Sequence, residues 1–193
     1  MSQSSILVLG SSSPARLELL KSINITPEVI YHPNINEEVL KKEKALEFSK
    51  RITLAKLNAT LNQHSGNYII VADTVIVKGS RIIGKPKSKQ DAYNIISTLS
   101  GCNHRIITSL AVASPSGKYI LKTYTNKMSV RALTKTELKS YIESDQWQGR
   151  AGGYSINGLF QRYITKINGS HSSIIGLPLN ATYNLLTTLG YKV

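Results

Sequence analysis

Residues Tyr68–Val77, reading YIIVADTVIV, limit the fold more than any other segment. The run is rich in Ile and Val, and β-branched residues fit a pleated, half-buried surface, so it predicts a strand inside a sheet. It is the nearest approach to a membrane span in the chain, yet it falls well short of the ~18 apolar residues required. Asp73 interrupts it. A carboxylate there needs compensation, because an unpaired buried charge is costly. Two readings are open. Asp73 is a metal ligand or general base at a strand end facing a cleft, or it is a structural residue that bonds a turn or pairs with a lysine.

The segments on either side predict interleaved strands and helices. Ile6–Leu9 reads as a short buried strand, and SSSPARLELLKS as a helix with Ser13 as N-cap and Pro14 at the first helical position. Asn36–Gln63 is mostly helical in composition. KGSR turns the long strand into a second one at Ile82–Ile83, which Lys85-Pro86 stops. Ser88 to Asp91 caps the helix DAYNIISTL, with Gly101 at its end. Ile106–Ala113 and Lys118–Val130 form a hairpin around SPSG. Thr134 and Glu137 make a capping box for KTELKSYIES. A glycine-rich loop, Gly149–Gly158, leads to a strand at Phe160–Ile167, and ATYNLLTTL is the last helix. The hairpins among these elements predict an α/β fold with a mixed sheet. The length of 193 residues suits one domain, or two small lobes around one cleft.

Charge narrows the partner. The formal net charge is +13, and between Glu47 and Glu137 the only acidic residues are Asp73 and Asp91. Such a chain suits a phosphate-rich partner, nucleic acid or nucleotide, unless the lysines serve only solubility. The lone Cys102 excludes a disulfide within the chain and fits a reducing cytosol. Without a basic n-region or a long apolar run, the N-terminus predicts no signal peptide, so a cytoplasmic protein without membrane contact is expected.

Several residues could carry phosphate chemistry. The strand–SSSP–helix junction offers hydroxyls and free N–H groups at a helix N-terminus, which attract anions; it would equally serve as an ordinary cap. Arg16 on the first turn adds a charge. GSRIIGKP follows the P-loop spacing until Pro86, which has no hydroxyl for magnesium, so a P-loop is rejected. Lys85 can still meet a phosphate as a point charge, or simply face solvent. His32, His64, His104 and His171 have no paired spacing for zinc and read as surface or structural residues. For a hard cation the acidic candidates are Asp73 and the pair Glu37–Glu38, which otherwise complements a helix dipole.

Taken in order, LVLGSSSPARLELL, INEE, ITLAKLNA, VADTVIV, GKP, LSGCNHRIIT, GRAGGYSINGLF and INGSHSSIIGLPL resemble the Maf family of nucleoside triphosphate pyrophosphatases, once named for an effect on septum formation. The resemblance runs from about Ile6 to Leu179. It implies one Maf-like domain over 1–193, with two lobes around a cleft in a fold similar to inosine triphosphate pyrophosphatases. It implies hydrolysis between the α- and β-phosphates, aided by a divalent cation, Mg²⁺ or Mn²⁺. Ser11 and Ser13 match the serines of the family's S-x-S-P loop, and Arg16 the second of two arginines after it. Lys56 and Lys85 match its lysines, and Asp73 its proton acceptor. Glu37 matches a glutamate expected to hold metal, with Asp73 as a second ligand or as the base, and Glu38 is the alternative register.

Three positions depart from the family pattern, and two of them, Ala15 and Asn157, fall where the resemblance implies base choice. Ala15 stands where many members carry arginine, Asn157 where many carry glutamine, and Asn36 where an acidic residue is common. Thr74 resembles the branch that prefers dTTP and UTP, with a small hydroxyl suited to a pyrimidine carbonyl. The expectation is a pyrophosphatase that accepts pyrimidine triphosphates, with no membrane or nucleic-acid partner and with a homodimer open. The rival is a nucleic-acid-binding regulator of cell division, resting on the +13 charge and the family's old name. A phosphohydrolase releasing orthophosphate is a third reading.

Overall fold

The computed structural model describes residues 5–192. In chain order the elements are β1 (Leu7–Gly10), α1 (Pro14–Lys21), β2 (Val29–Tyr31), α2 (Ala45–Gln63), β3 (Tyr68–Lys78), β4 (Arg81–Ile83) and α3 (Lys89–Leu99). There follow β5 (Asn103–Ala113), β6 (Tyr119–Val130), α4 (Lys135–Glu143), two 3₁₀ turns (Ala151–Gly153 and Leu159–Tyr163), β7 (Ile164–Asn168), α5 (His171–Ile175) and α6 (Leu179–Thr188). Among the described residues the strands form one sheet in the order β2-β1-β3-β5-β6-β7, with β4 also on β3. β1 runs parallel to β2 and β3, and the other pairs are antiparallel, so the sheet is mixed as expected.

The decisive feature is a fork along β3. One edge pairs with β5 from Ile69 to Val77. The other edge is shared: β1 takes Tyr68–Ile70 and β4 takes Ile76–Lys78. Among the described residues no strand pairs with 71–75 on that edge, and the sheet opens there.

Alternation along β3 sends its odd residues to one face and its even ones to the other. Ile69, Val71, Val75 and Val77 pack beneath α2, against Leu57, Ile52 and Phe48. The opposite face carries two separate cores. Ile70 and Ala72 join Leu20, Leu185 and Leu186 under α1 and α6. Ile76 joins Ile96 of α3, Tyr141 of α4, Phe160 and Tyr163. These two cores make two lobes, and the fork in the sheet is the cleft between them.

Local signals behave as their chemistry requires. The Ser88 hydroxyl accepts from the Asp91 N–H at 3.1 Å. Thr134 and Glu137 bond reciprocally, at 3.2 and 2.9 Å. Three expectations need correction. The helix expected over Asn36–Gln63 starts only at Ala45; Lys42 has φ 62°, which breaks a helix before it. Glu37–Glu38 therefore lies in a loop and not at a helix start. The strand expected from Phe160 starts at Ile164, because Phe160 and Tyr163 are both buried and their three-residue spacing suits a 3₁₀ turn. Asp73 sits in the middle of an 11-residue strand, not at its end. The short β2 and α5 carry no sequence signal strong enough to be expected.

Candidate active site

A cleft of about 1030 Å³ opens at the fork. Its walls come from the β1–α1 junction, Glu37, Lys56, the centre of β3, the segment after β4, and the loop from Gln148 to Ile156.

On the α2 face, three charges meet. Lys56 Nζ donates to Asp73 Oδ1 at 2.8 Å and lies 2.8 Å from Glu37 Oε1. Asp73 is buried, and its Oδ2 has no partner among the described residues. Asp73 thus pairs with a lysine and keeps one acceptor unused inside the cleft. Burial pushes the Glu37 carboxyl up, but the Lys56 hydrogen bond and charge, with Lys85 and Arg16 behind them, hold it below its ordinary value. Between Glu37 and Glu38, only Glu37 lines the cleft. Its loop is strapped to α2 by Arg51, which donates to both Glu43 oxygens, at 2.6 and 2.7 Å, and to the Glu38 carbonyl at 2.8 Å.

Lys56 is placed by close packing as well as by charge. A Cβ on Gly10 would lie 2.5 Å from Thr60 Oγ1, so only glycine lets β1 approach α2 this closely. The Thr60 hydroxyl donates to the Lys56 carbonyl one turn earlier, at 2.8 Å.

On the opposite face, Arg16 is held by three neutral acceptors. Its Nε donates to the Gly176 carbonyl at 2.9 Å, Nη1 to Ser11 Oγ at 2.9 Å, and Nη2 to Thr74 Oγ1 at 3.4 Å. Three of the five guanidinium N–H groups are engaged, and two remain. Burial lowers the Arg16 pKa, against the pull of Asp73 and Glu37. Ser13 occupies the N-cap position, but its side chain makes no capping bond. The Ser13 N–H turns back to Ser11 Oγ at 3.2 Å. The N–H groups at the start of α1 therefore have no side-chain cap beside the cleft, the arrangement that receives anions.

Thr74 has a fixed polarity. Thr108 Oγ1 donates to the Ser173 carbonyl at 2.8 Å and lies 3.1 Å from Thr74 Oγ1. A hydroxyl has one proton, so the proton between the two threonines is that of Thr74. Thr74 thus meets the cleft as an acceptor. As an acceptor, Thr74 would suit an N–H donor of a base.

The remaining expected residues divide. Ala15, on the first turn of α1, lines the cleft, as does the exposed Lys85. Asn157 does not; that loop's contribution ends at Ile156. Sequence reasoning missed Arg150, an exposed cation in the glycine-rich loop that lines the same cleft. It also missed Tyr154, whose hydroxyl lies 2.6 Å from His104 Nε2. Burial, helped by the Lys78 charge, lowers His104 to about 4 and keeps it neutral. His104 is therefore structural, as expected.

Among the described residues no cluster of three or more His, Cys, Asp and Glu side chains could hold a metal. Magnesium, however, is commonly held by one or two carboxylates plus substrate phosphates. Glu37 and the orphaned Asp73 Oδ2 fit that mode.

Comparison with known proteins shows what the chain is similar to. The Maf-like protein family model matches residues 6–189. The chain is 37% identical over 186 residues to a dTTP/UTP pyrophosphatase of Caulobacter vibrioides, covering 96% of each. It is 38% identical over 192 residues to a dTTP/UTP pyrophosphatase of Hyphomonas neptunium, covering 100% of each. A nucleoside triphosphate pyrophosphatase of Anaplasma marginale is 39% identical over 180 residues, covering 93% of this chain and 92% of the relative. A solved dITP/XTP pyrophosphatase from Mycobacterium abscessus aligns with a TM-score of 0.44 at 13% identity, over 94% of this chain and 95% of its own. A likeness that low bears no further conclusion.

Proposed function

The chain belongs to the Maf-like protein family, and from that premise we propose that it is a hydrolase cleaving nucleoside triphosphates to the monophosphate and pyrophosphate, with dTTP and UTP among its substrates. The observation that carries this reading is the convergence of Arg16, Lys56, Lys85 and Arg150 with the uncapped start of α1 around one buried carboxylate, Asp73. We infer that residues 1–193 act as one Maf-like domain, since segments from Gly10 to Ile175 contribute to one cleft.

Phosphoryl chemistry needs mainly positioning and charge stabilisation. Arg16, with two N–H groups left, would grip phosphate oxygens, and Lys85 and Arg150 would neutralise the exposed end of the triphosphate. Lys56 would shift from its carboxylates towards substrate. Asp73 would orient or deprotonate the water that attacks the α-phosphorus, with the oxygen that Lys56 releases, or serve through Oδ2 as a metal ligand instead. Glu37 and Asp73 would hold a divalent cation, Mg²⁺ or Mn²⁺, whose charge offsets that of the departing pyrophosphate. Ala15 and Thr74 would meet the nucleoside. With no arginine at position 15 and Asn157 one methylene shorter than glutamine, discrimination among bases would be loose.

The test is product analysis over UTP, dTTP, CTP, GTP and ATP, with and without EDTA. Monophosphate plus pyrophosphate, abolished by chelation, is expected. Diphosphate plus orthophosphate would overturn the assignment, and a rate unaffected by EDTA would overturn the metal's part in it.

A further inference from the structure

Arg16 is held from two directions by one short segment. Its Nε meets the Gly176 carbonyl directly. Its Nη2 meets Thr74, which leans on Thr108, which in turn leans on the Ser173 carbonyl. Ser173 and Gly176 both belong to the turn around the end of α5, where carbonyls lack helical partners and a cation is welcome. That turn is itself anchored by the buried Asn126, which donates from Nδ2 to Ser173 Oγ and accepts from the Ser170 N–H at Oδ1, both at 2.9 Å.

We propose that Thr108, fully buried on β5 and outside the cleft lining, is a positioning residue that sets the orientation of Arg16 through the Thr74 hydroxyl. Its own proton is spent on Ser173, so it can only accept from Thr74. Thr74 then has no proton of its own left to give and presents lone pairs to the Arg16 guanidinium. Were Thr108 unable to accept, the Thr74 hydroxyl would rotate and no longer hold its lone pairs in one direction. The Nη2 contact would lose its fixed geometry, and the guanidinium would be free to turn about the Nε bond. Thr108 is fully buried and Thr74 half-buried beside a charge, where an unpaired polar group is costly. The proposal rests on the pyrophosphatase reading for its kinetic consequence, though the geometry of Arg16 is open to observation without turnover.

The experiment uses Thr108→Val, which keeps the shape and removes the hydroxyl, and Thr108→Ser, which restores it. Thr108→Val should lower kcat/KM for UTP by about tenfold, the scale of one hydrogen bond to a charged group, while Thr108→Ser stays near the wild type. In an Arg16→Ala background the valine change should cost nothing further, because the group it positions is gone. Loss of the same size in both backgrounds, or no loss in either, overturns the proposal. A second readout needs no substrate. The Arg16 guanidinium should give separate Nη signals by NMR in the wild type, identified by their absence in Arg16→Lys, and averaged signals in Thr108→Val. Wild-type protein that releases no pyrophosphate would remove the pyrophosphatase reading, whereas unchanged Nη signals in Thr108→Val would remove this one. Should the valine variant fail to fold, Thr108→Ala removes the same acceptor without crowding and carries the same expectations.

Discussion

Asp73 and Thr74 are neighbours on β3, yet they leave opposite faces of the sheet and enter environments built on different physics. Asp73 faces α2, in a cluster of full charges with Lys56 and Glu37. Thr74 faces the α1 and α5 side, in a chain of neutral acceptors that ends on backbone carbonyls and holds one cation, Arg16. The ionic side acts through charge, which is strong in a shielded cleft but loosely directional. The neutral side acts through the direction of single protons, so it sets where a guanidinium points. The contrast teaches that one strand can serve both needs when its pairing is interrupted, because at the fork both of its faces reach the same opening.

Four measurements would break or sharpen this contrast. The largest effect belongs to the ionic side. Asp73→Asn keeps the shape of the side chain but not its charge, so turnover should fall by roughly 10² to 10⁴ while the fold persists. Purified mutant with wild-type turnover would remove Asp73 from the reaction. Next comes Lys56→Met, which leaves Glu37 and Asp73 facing each other without their shared cation. A loss of about 10² in kcat is expected, similar to that for one preorganised donor at a developing charge. A change within twofold would make Lys56 a structural partner only.

On the neutral side the effects should be smaller. Gly176 has φ 135°, a region that disfavours any side chain, and an added Cβ would lie 3.3 Å from Arg16 Nε. Gly176→Ala should therefore lower kcat/KM by roughly tenfold, with a modest fall in Tm from backbone strain of ~1–3 kcal/mol. Normal kinetics in a destabilised protein would separate the turn's structural role from its hold on Arg16. The smallest effect is on stability alone. His104 lies on the same face of β5 as Thr108, buried and with its pKa lowered to about 4 from 6.5. A depressed folded pKa means that the unfolded chain binds the proton first. Its stabilising contribution is complete above the unfolded pKa and is lost as pH falls from about 6.5 towards 4. Thermal denaturation across that window should show a shallower decline for His104→Gln than for the wild type. Equal slopes would mean that His104 does not titrate with unfolding.

Much of this was legible in the amino-acid order because it depends on near neighbours. The Ile- and Val-rich run at 68–77 forms the central strand, and Pro14 after Ser13 starts α1. Ser88 and the Thr134–Glu137 pair cap their helices through bonds three residues apart. Asp73 was conspicuous as a charge within an apolar run, and the ordered motifs carried the family resemblance. Non-local geometry was not legible. Glu37 and Glu38 differ by one residue, and only the folded loop, held by Arg51 and by the Glu38 N–H bond to Asn36, shows that Glu37 meets Lys56. Arg150 looks like any loop cation until the glycine-rich segment folds against the cleft. Asn157 looks like a site residue by its motif, yet the cleft lining from that loop ends one residue earlier, at Ile156. Most of all, the proton sense of Thr74 depends on Thr108, 34 residues away, and on a carbonyl 65 residues beyond that. Spacing along the chain determines which residues share a strand face or a helix cap, since those periods are set by the backbone. The direction of a shared proton is set by whichever acceptor the folded chain brings within reach, and only the tertiary structure decides that.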